Sequence, residues 1–263
     1  MPYRYETHLH TCEASACGIT RGRDYIPFFQ DQGYHGIIVT DHFFGGNTAV
    51  NRKLPWRSWV DQFCLGYEAA KNEGDRRGFQ VLFGWEQNYD GDEYLVYGLD
   101  KAWLGEHPEI TRWTRAQQYE QVRRSGGCVV QAHPFRSRSY LSRIYLNTAC
   151  VDGVEVYNGA NRLYENAQAY RYAQSLGKTM MAGTDIHLAD SDGLSGIVLD
   201  TSLADERDLA RRIREHEPIG LIAPVEKLKT ARLEPVTLPA EVLGEGGAPV
   251  QIPLSSLLTG EPR

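Results

Sequence analysis

Two histidine-containing pairs are the residues of this sequence whose types and spacing first suggest chemistry. His8 and His10 lie two residues apart in RYETHLHTCE, and Asp185 and His187 have the same spacing in MAGTDIHLAD. In an extended strand, residues i and i+2 point to the same face, so each pair could project into one cavity if the strand continues through it. Imidazole and carboxylate groups that converge in this way are typical ligands of divalent metal ions.

Three further candidate ligands end apolar runs elsewhere in the chain. His42 ends GIIVTDH, Glu86 ends QVLFGWE and His133 ends GCVVQAH, after which Pro134 prevents the segment from continuing as a central strand. A single histidine or carboxylate at a strand end is more often structural, solvated or a helix cap. Convergence of all seven residues at one face instead favours a metal site. The remaining histidines are expected to be structural: His35, His107 and His216.

The elements that must position these residues alternate along the chain. Short apolar runs predict strands at residues 4–10, 36–42, 80–86, 93–99, 127–133, 153–158, 179–187 and 196–200. Amphipathic segments predict helices at residues 22–33, 56–74, 114–127, 161–177 and 203–217. This alternation indicates an α/β fold with mainly parallel strands joined by crossover helices.

A barrel explains the pattern better than an open sheet. No GxGxxG or GxxxxGK[ST] motif follows the first strand, which counts against the usual nucleotide-binding open sheets. In a β/α barrel the carboxyl ends of the strands form the active-site face, so five strands would deliver His, Asp or Glu to one mouth. We predict a barrel over residues 1–223, followed by a C-terminal hairpin and a Gly- and Pro-rich tail over residues 224–263 that packs on or near it.

Composition narrows the function classes. The 263 residues, 41% hydrophobic and 24% charged, are typical of a globular protein, and the formal charge of -6 argues against general nucleic-acid binding. No apolar stretch is long enough to span a membrane, and the N-terminus lacks the apolar core of a signal peptide, so we expect a cytoplasmic protein. The five scattered cysteines do not form a disulfide or zinc-knuckle pattern and are expected to be reduced.

The motifs resemble those of the polymerase-and-histidinol-phosphatase (PHP) phosphoesterases. The matching segments are HLH, TDH, the glutamate of GWEQ, AHP and TDIH, in the family's order and across about residues 4–200. The chain looks like a bacterial stand-alone member rather than a polymerase domain. The resemblance implies a distorted seven-stranded β/α barrel, a site at the carboxyl ends of its strands, and two or three divalent transition metal ions (Mn, Fe or Zn).

When the family's metal ligands are transferred to the matching motifs of this sequence, the resemblance also implies a set of ligands. The first metal would be held by His8, His10, Glu86 and Asp185, with Glu86 bridging to a second metal that also binds His133. The third metal would be held by His42 and His187.

Two positions depart from the family pattern. Glu93 stands where family members often carry another histidine, and is either a carboxylate substitute or a charge at the rim. Ser15 and Ala16 stand near the place of a usual third-site ligand. Glu13 is then the nearest hard ligand and the preferred one, and Cys17 is the soft alternative.

The expected chemistry is hydrolysis of a small phosphate ester through a metal-bridging hydroxide at Glu86. Arg136, three residues beyond His133, is expected to hold the phosphoryl oxygens. Asn158 is a candidate substrate contact or a hydrogen-bonded loop residue, and Asp41 is expected to support the ligands. Weaker candidates for phosphate contact are Arg21, Arg23 and Arg162. Two other functions remain open: hydrolysis of a non-phosphate bond, and a catalytically silent metal-binding regulatory barrel.

Overall fold

The computed structural model describes residues 2–190 and 193–261. Its strands are β1 (Tyr3–Glu6), β2 (Gly36–Val39), β3 (Gln80–Asn88), β4 (Glu93–Tyr97), β5 (Cys128–Gln131), β6 (Ile144–Asn147), β7 (Gly153–Asn158), β8 (Thr179–Gly183), β9 (Gly196–Leu199), β10 (Gly220–Ile222) and β11 (Ala240–Leu243).

The α-helices of this part of the chain are α1 (Tyr25–Asp31), α2 (Trp56–Phe63), α3 (Leu65–Arg77), α4 (Lys101–Glu106), α5 (Arg115–Arg124), α6 (Leu163–Leu176), α7 (Glu206–Arg214), α8 (Val225–Thr230) and α9 (Leu254–Leu257). Short 3-10 turns occupy Gly22–Asp24, Pro108–Arg112 and Glu245–Gly247. Across the described ranges, none of the helices has the length and apolar character needed to cross a membrane.

Seven strands form a nearly closed barrel in the order β1-β2-β3-β4-β5-β7-β8. The first and last strands of this order, β1 and β8, come together just beyond their ends, where Leu9 and Ile186 form a parallel bridge. There the His10 N–H donates to the Ile186 carbonyl at 3.0 Å, and the Ile186 N–H donates to the His8 carbonyl at 3.2 Å. The predicted barrel is therefore confirmed. Outside it, β9 pairs antiparallel with β1, and β10 pairs antiparallel with β9.

One barrel strand runs against the others. β4 is antiparallel to both β3 and β5, whereas the remaining barrel pairs are parallel. Only residues 89–92 separate β3 from β4, and Gly91 adopts a φ of 99° in that turn. A parallel crossover needs about a dozen residues, so this connection must be a hairpin. Glu93, at the amino end of β4, consequently lies beside the carboxyl end of β3.

Strand residues alternate between the barrel interior and the surrounding helices. Ile38 of β2 packs in a cluster with Leu82, Leu95 and Met181 from other barrel strands. Its neighbours Ile37 and Val39 pack instead with a cluster that contains residues of α1 and α3. This alternation follows the period of two of an extended strand and explains why β2 is buried on both faces.

α7 covers the end of the barrel that lies opposite the predicted ligands. Ile213 accepts a hydrogen bond from the Thr179 hydroxyl at the start of β8, and Glu206 accepts one from the Phe83 N–H. Leu209, Ala210 and Ile213 belong to the same cluster as the barrel interior. The helix therefore seals the core at this end and leaves the carboxyl ends of the parallel strands open.

The C-terminal segment is packed rather than loose. β11 pairs in parallel with β6, and Leu243 then forms an antiparallel bridge with Pro249 at the predicted hairpin. Leu257 is fully buried in a cluster that includes α6. Residues 262 and 263 of the predicted tail lie outside the described residues, and the division at residue 223 stays a prediction. Several elements were not expected from the sequence: β6, β10, β11, α4, α8 and α9.

Gly183→Ala tests how tightly β8 must approach β1. A Cβ at Gly183 would lie 2.5 Å from the Cβ of His8 and 3.0 Å from Glu155 Oε1. Overpacking of this kind should lower the free energy of unfolding by about 1–3 kcal/mol, as measured by chemical denaturation. Gly105→Ala in α4 is the control, because its nearest neighbour would be Arg57 Nη1 at 3.9 Å, so it should be neutral or stabilising. Equal stability of both variants would contradict this packing.

Candidate metal centre

The structure brings eight candidate ligands together at the open end of the barrel. They form overlapping groups in which the ligand atoms of each group lie within 4.8 Å of one another. The groups are His8, His10 and Asp185; His8, Glu86 and His133; His42, Glu86 and Glu93; and His10, His42 and His187. All seven strand-end residues named from the sequence are included, and Glu93 joins them.

Glu86 occupies the middle of the cluster. Its Oε1 lies 3.2 Å from His8 Nε2 and 3.2 Å from His133 Nε2, and its Oε2 lies 2.7 Å from His42 Nδ1. Because one carboxylate reaches histidines of three chain segments, it can bridge neighbouring cations. This placement agrees with the bridging role that the family resemblance implies.

Asp185 and Glu93 each lie beside histidines that also approach Glu86. Asp185 Oδ1 is 3.1 Å from His10 Nε2 and 3.5 Å from His8 Nε2. Glu93 Oε2 is 3.4 Å from His133 Nε2. Glu93 therefore lies among the ligand groups rather than at the rim, because the antiparallel direction of β4 turns its amino end toward them.

Most of the ligands follow the strands rather than lie within them, whereas Glu86 lies within β3 and Glu93 begins β4. β1 ends at Glu6 and β8 ends at Gly183, before either predicted pair begins. Asp185 and His133 have positive φ angles of 59° and 28°, which non-glycine residues adopt rarely and at a cost. The expectation that an extended strand continues through Asp185 and His187 is therefore wrong. The turn at Asp185 instead places the two side chains in different ligand groups.

Several buried ligand atoms make no hydrogen bond of acceptable geometry in the described structure, although they lie close to the cluster's carboxylates or imidazoles: His8 Nε2, His10 Nε2, His42 Nδ1 and Glu86 Oε2. Burying a polar atom without a partner costs free energy, and such atoms are few in native proteins. A cation at the centre would satisfy imidazole and carboxylate lone pairs together. The donor set thus fits divalent metal ions.

The charges of the cluster hold Glu86 and Asp185 ionised, whereas burial and the nearby Glu86 raise the pKa of Glu93. Burial opposes ionisation of Glu86 and Asp185, but the neighbouring imidazoles, His8 foremost, hold the pKa of each well below its usual range. Burial and the nearby His42 lower the pKa of His10 to about 3, which keeps that imidazole neutral. Ionised carboxylates and a neutral imidazole are the forms that bind metals.

Glu155 of β7 orients the first histidine and was not predicted from the sequence. Its Oε1 lies 2.9 Å from His8 Nδ1, and its Oε2 accepts from the His133 N–H at 3.0 Å. A proton on His8 Nδ1 leaves the Nε2 lone pair free to face the ligand cluster. Carboxylates commonly fix the tautomer and orientation of metal-binding histidines in this way. The sequence feature that could have indicated this role is a carboxylate within the apolar run GVEVYN, which is buried in the structure.

Asp41 and Ser15 form a second support behind the ligands. The Ser15 hydroxyl donates to Asp41 Oδ1 at 2.6 Å, lies 3.2 Å from His10 Nδ1 and accepts from the His42 N–H at 3.0 Å. Asp41 also accepts from the N–H and hydroxyl of Thr11. Ser15, which departs from the family pattern, therefore positions two histidines rather than binding a metal itself.

Asn158 supports the ligands instead of facing a substrate. Its side chain is fully buried, and its Nδ2 donates to Glu155 Oε2 at 3.0 Å and Asp185 Oδ2 at 3.3 Å. Because both amide hydrogens point at carboxylates, the predicted substrate contact is corrected to a role in holding Asp185.

Arg136 lies between Asp185 and an open cavity. Its guanidinium donates to Asp185 Oδ2, to Asn158 Oδ1 at 3.0 Å and to Asn161 Oδ1 at 2.9 Å. It also lines a cavity of about 250 Å³ together with His133 and Glu93. The three weaker candidates for phosphate contact, Arg21, Arg23 and Arg162, are exposed. Arg23 lies beside Asp24, and Arg162 lies beside Tyr164.

The structure reverses the preference between Glu13 and Cys17. Glu13 Oε2 accepts from the Gly22 N–H at 3.1 Å, and neither Glu13 nor Cys17 belongs to the ligand groups among the described residues. Burial opposes ionisation of the Cys17 thiol, but contacts with the imidazoles of His187 and His42 lower its pKa to about 6. Cys17, rather than Glu13, lies beside the group of His10, His42 and His187.

Glu155→Gln tests the support behind His8. The amide cannot accept hydrogen bonds at both of its ends, so His8 and the His133 backbone lose part of their orientation. Metal affinity should fall about 10- to 100-fold, as measured by competition with a chelating dye. Glu120→Gln, on the surface of α5 beside Arg124, is the matched control. Wild-type affinity in Glu155→Gln would assign the residue to folding alone.

Cys17→Ala and Glu13→Ala test the third ligand group. Because a thiolate beside two imidazoles suits zinc, Cys17→Ala should weaken zinc binding at this group by about tenfold or more. Glu13→Ala should leave the zinc content of the chain unchanged. The measurement is elemental analysis after dialysis against graded zinc concentrations. Loss of zinc in Glu13→Ala alone would return the assignment to the carboxylate.

Comparison with known proteins agrees with this geometry. A family model described as PHP-associated matches residues 164–218, which include most of α6 and all of α7. A search of curated proteins found no match.

Three solved structures share the fold. A two-domain Bacteroides vulgatus protein containing a predicted PHP-like metal-dependent phosphoesterase has a TM-score of 0.60 and 14% identity, over 81% of this chain and 64% of that protein. The chain thus spans less than two thirds of that neighbour. A Bifidobacterium adolescentis protein named as a candidate metal-dependent phosphoesterase has a TM-score of 0.52 and 14% identity, over 84% of this chain and 98% of that one. PsfC from Pseudomonas syringae has a TM-score of 0.51 and 13% identity, over 87% and 94%.

At these identities the structural neighbours establish the fold and leave the activity open. The matched family model covers most of α6 together with β8, β9 and α7, and the ordered motifs supply the ligands at the open end of the barrel. The chain is thus similar to PHP-domain proteins in a PHP-associated segment, in its barrel fold and in its ordered motifs.

Proposed function

We propose that the protein is a metal-dependent phosphoesterase that hydrolyses a small phosphate ester. The observation that carries this proposal is the cluster of buried ligand atoms without well-directed hydrogen bonds, next to a cavity lined by Arg136. The two structural neighbours named for metal-dependent phosphoesterase activity support the same reaction class.

The ligand groups suggest how metals would be distributed. His8, His10, Glu86 and Asp185 would hold the first metal, and Glu86, His133 and Glu93 the second. His42 and His187, with Cys17 beside them, would hold a third. This mixture of imidazole and carboxylate suits Mn, Fe or Zn better than Mg or Ca, which prefer oxygen ligands.

Divalent metals bound here would lower the pKa of water and polarise a phosphoryl oxygen. The protein's own residues prepare the site for that chemistry. Glu155 Oε1 keeps the proton of His8 on Nδ1, and Ser15 fixes the ring of His10. Arg136 brings a positive charge to the wall that the phosphoryl group would contact, where it can offset charge that develops in the transition state.

The alternative functions lead to different outcomes in the same assay. Hydrolysis of another bond predicts metal-dependent turnover of amides or carboxylic esters but not of phosphate esters. A silent regulatory barrel predicts metal binding without turnover. The position of Arg136 beside the ligand cluster favours phosphate over both.

The decisive assay is turnover of 4-nitrophenyl phosphate and bis(4-nitrophenyl) phosphate by protein loaded with Mn. Activity should disappear on metal removal by a chelator and return when Mn is added. Glu86→Gln should lower kcat/KM about 10²- to 10³-fold, the scale of losing a central charge-stabilising group. Glu120→Gln should retain wild-type rates. Unchanged turnover by metal-stripped protein would contradict the mechanism, and metal-dependent cleavage of amides alone would assign the second function.

A further inference from the structure

The cavity beside the ligand cluster lies between the β3–β4 hairpin and the chain that follows β5. Its inner end is formed by Glu93, His133 and Arg136, and its outer walls include Asp90, Tyr140 and Ser142. Its volume of about 250 Å³ is below the usual range for drug-sized ligands. A molecule that fills it while reaching the ligand cluster must be compact.

Most of the charge on the cavity walls is negative. Three successive carboxylates of the hairpin line it, those of Asp90, Asp92 and Glu93, whereas Arg136 is its one cationic lining residue in the part of the chain that the structure describes. The Arg136 guanidinium is already engaged with Asp185. A second anionic group on a substrate would therefore meet carboxylates rather than a basic side chain.

The carboxylates differ in how far they are neutralised. Arg115 binds Asp92 through Nε at 2.6 Å and Nη2 at 2.5 Å, and its guanidinium packs over the rings of Tyr89 and Tyr145 at 4.8 Å from each centroid. Asp90 is 3.6 Å from the same guanidinium, and its side chain remains 78% exposed. Asp90 is thus the carboxylate most available to a ligand at the outer end.

Several of the other wall residues are aromatic or carry hydroxyls, and the rest include the amides of Asn88 and Gln131 and the apolar side chains of Leu141 and Ile144. Tyr140 is 74% exposed, and Tyr145 and Ser142 line the same cavity. Hydroxyl groups can donate to and accept from an alcohol or an amine, and a carboxylate accepts from either. The walls therefore match a small polar molecule that is neutral or cationic.

We infer that this cavity binds the leaving group of the substrate and selects a compact alcohol that bears hydroxyl or amino groups and no second anionic group. This inference rests on the proposed phosphoesterase function. In the reaction, the oxygen of water forms a bond to phosphorus, the ester P–O bond breaks, and the alcohol leaves with a proton. Asp90 is a specificity-determining residue at the end of the cavity away from the ligand cluster.

The test compares two esters of similar size that differ in one charge, glycerol 1-phosphate and 3-phosphoglycerate. For the wild-type protein loaded with Mn, kcat/KM should be at least about tenfold higher for glycerol 1-phosphate. Asp90→Lys should shift this ratio toward 3-phosphoglycerate by about three- to tenfold, because it replaces a repulsive charge by an attractive one. Asp90→Asn should give an intermediate ratio. Asp31→Lys, exposed at the end of α1, should keep the wild-type ratio.

Each outcome of this comparison has a distinct meaning. Equal kcat/KM values for the two esters in the wild-type protein, or an unchanged ratio in a folded Asp90→Lys, would overturn the inference while leaving the proposed function intact. If neither these esters nor 4-nitrophenyl phosphate is hydrolysed by the Mn-loaded protein, the proposed function fails and the inference fails with it.

Discussion

The burial of many ionisable side chains at one end of the barrel is the constraint on which the rest of the structure depends. Glu86 is 1% exposed and His8 and His10 are fully buried, yet ligand atoms of all three lack well-directed hydrogen bonds. Isolated buried charges are costly, and a buried ion pair is tolerated only when its geometry and remaining hydrogen bonds are good. Supporting groups, above all Glu155, hold the imidazoles so that their free nitrogens converge on a space that a cation can fill.

Closure of the barrel creates that convergence. The bridge between Leu9 and Ile186 brings together the segments after β1 and β8. Buried Glu6 reinforces this junction, since it accepts from the N–H groups of His8 at 2.8 Å and Thr184 at 2.9 Å. The hairpin between β3 and β4 then adds Glu93 from the neighbouring wall and forms one side of the cavity. The ligand cluster and the cavity are thus consequences of the same strand connections.

The sequence was most informative where a residue type and a strand end coincided. His42, Glu86 and His133 end strong apolar runs, and all three lie in the ligand groups. The predicted connection before Glu93, residues 87–92, is too short for a parallel crossover and could have predicted an antiparallel β4. The sequence could not decide between Glu13 and Cys17 as a ligand. Both lie in an irregular loop, where side chains do not alternate with the regular period of a strand or helix. β6 and β11 were also missed, because their pairing joins segments that lie about 100 residues apart, from residues 144 to 240.

The central claim is that the cluster is a metal centre, and anomalous X-ray diffraction from crystals of the metal-loaded protein tests it most directly. Data collected on both sides of the Mn and Zn absorption edges would locate each ion independently of any assay. A metal centre should give at least two anomalous peaks among the side chains of His8, His10, Glu86, His133 and Asp185. Metal-soaked crystals without a peak at this cluster, in which these imidazoles and carboxylates are hydrogen-bonded to one another, would show that the cluster is not a metal centre.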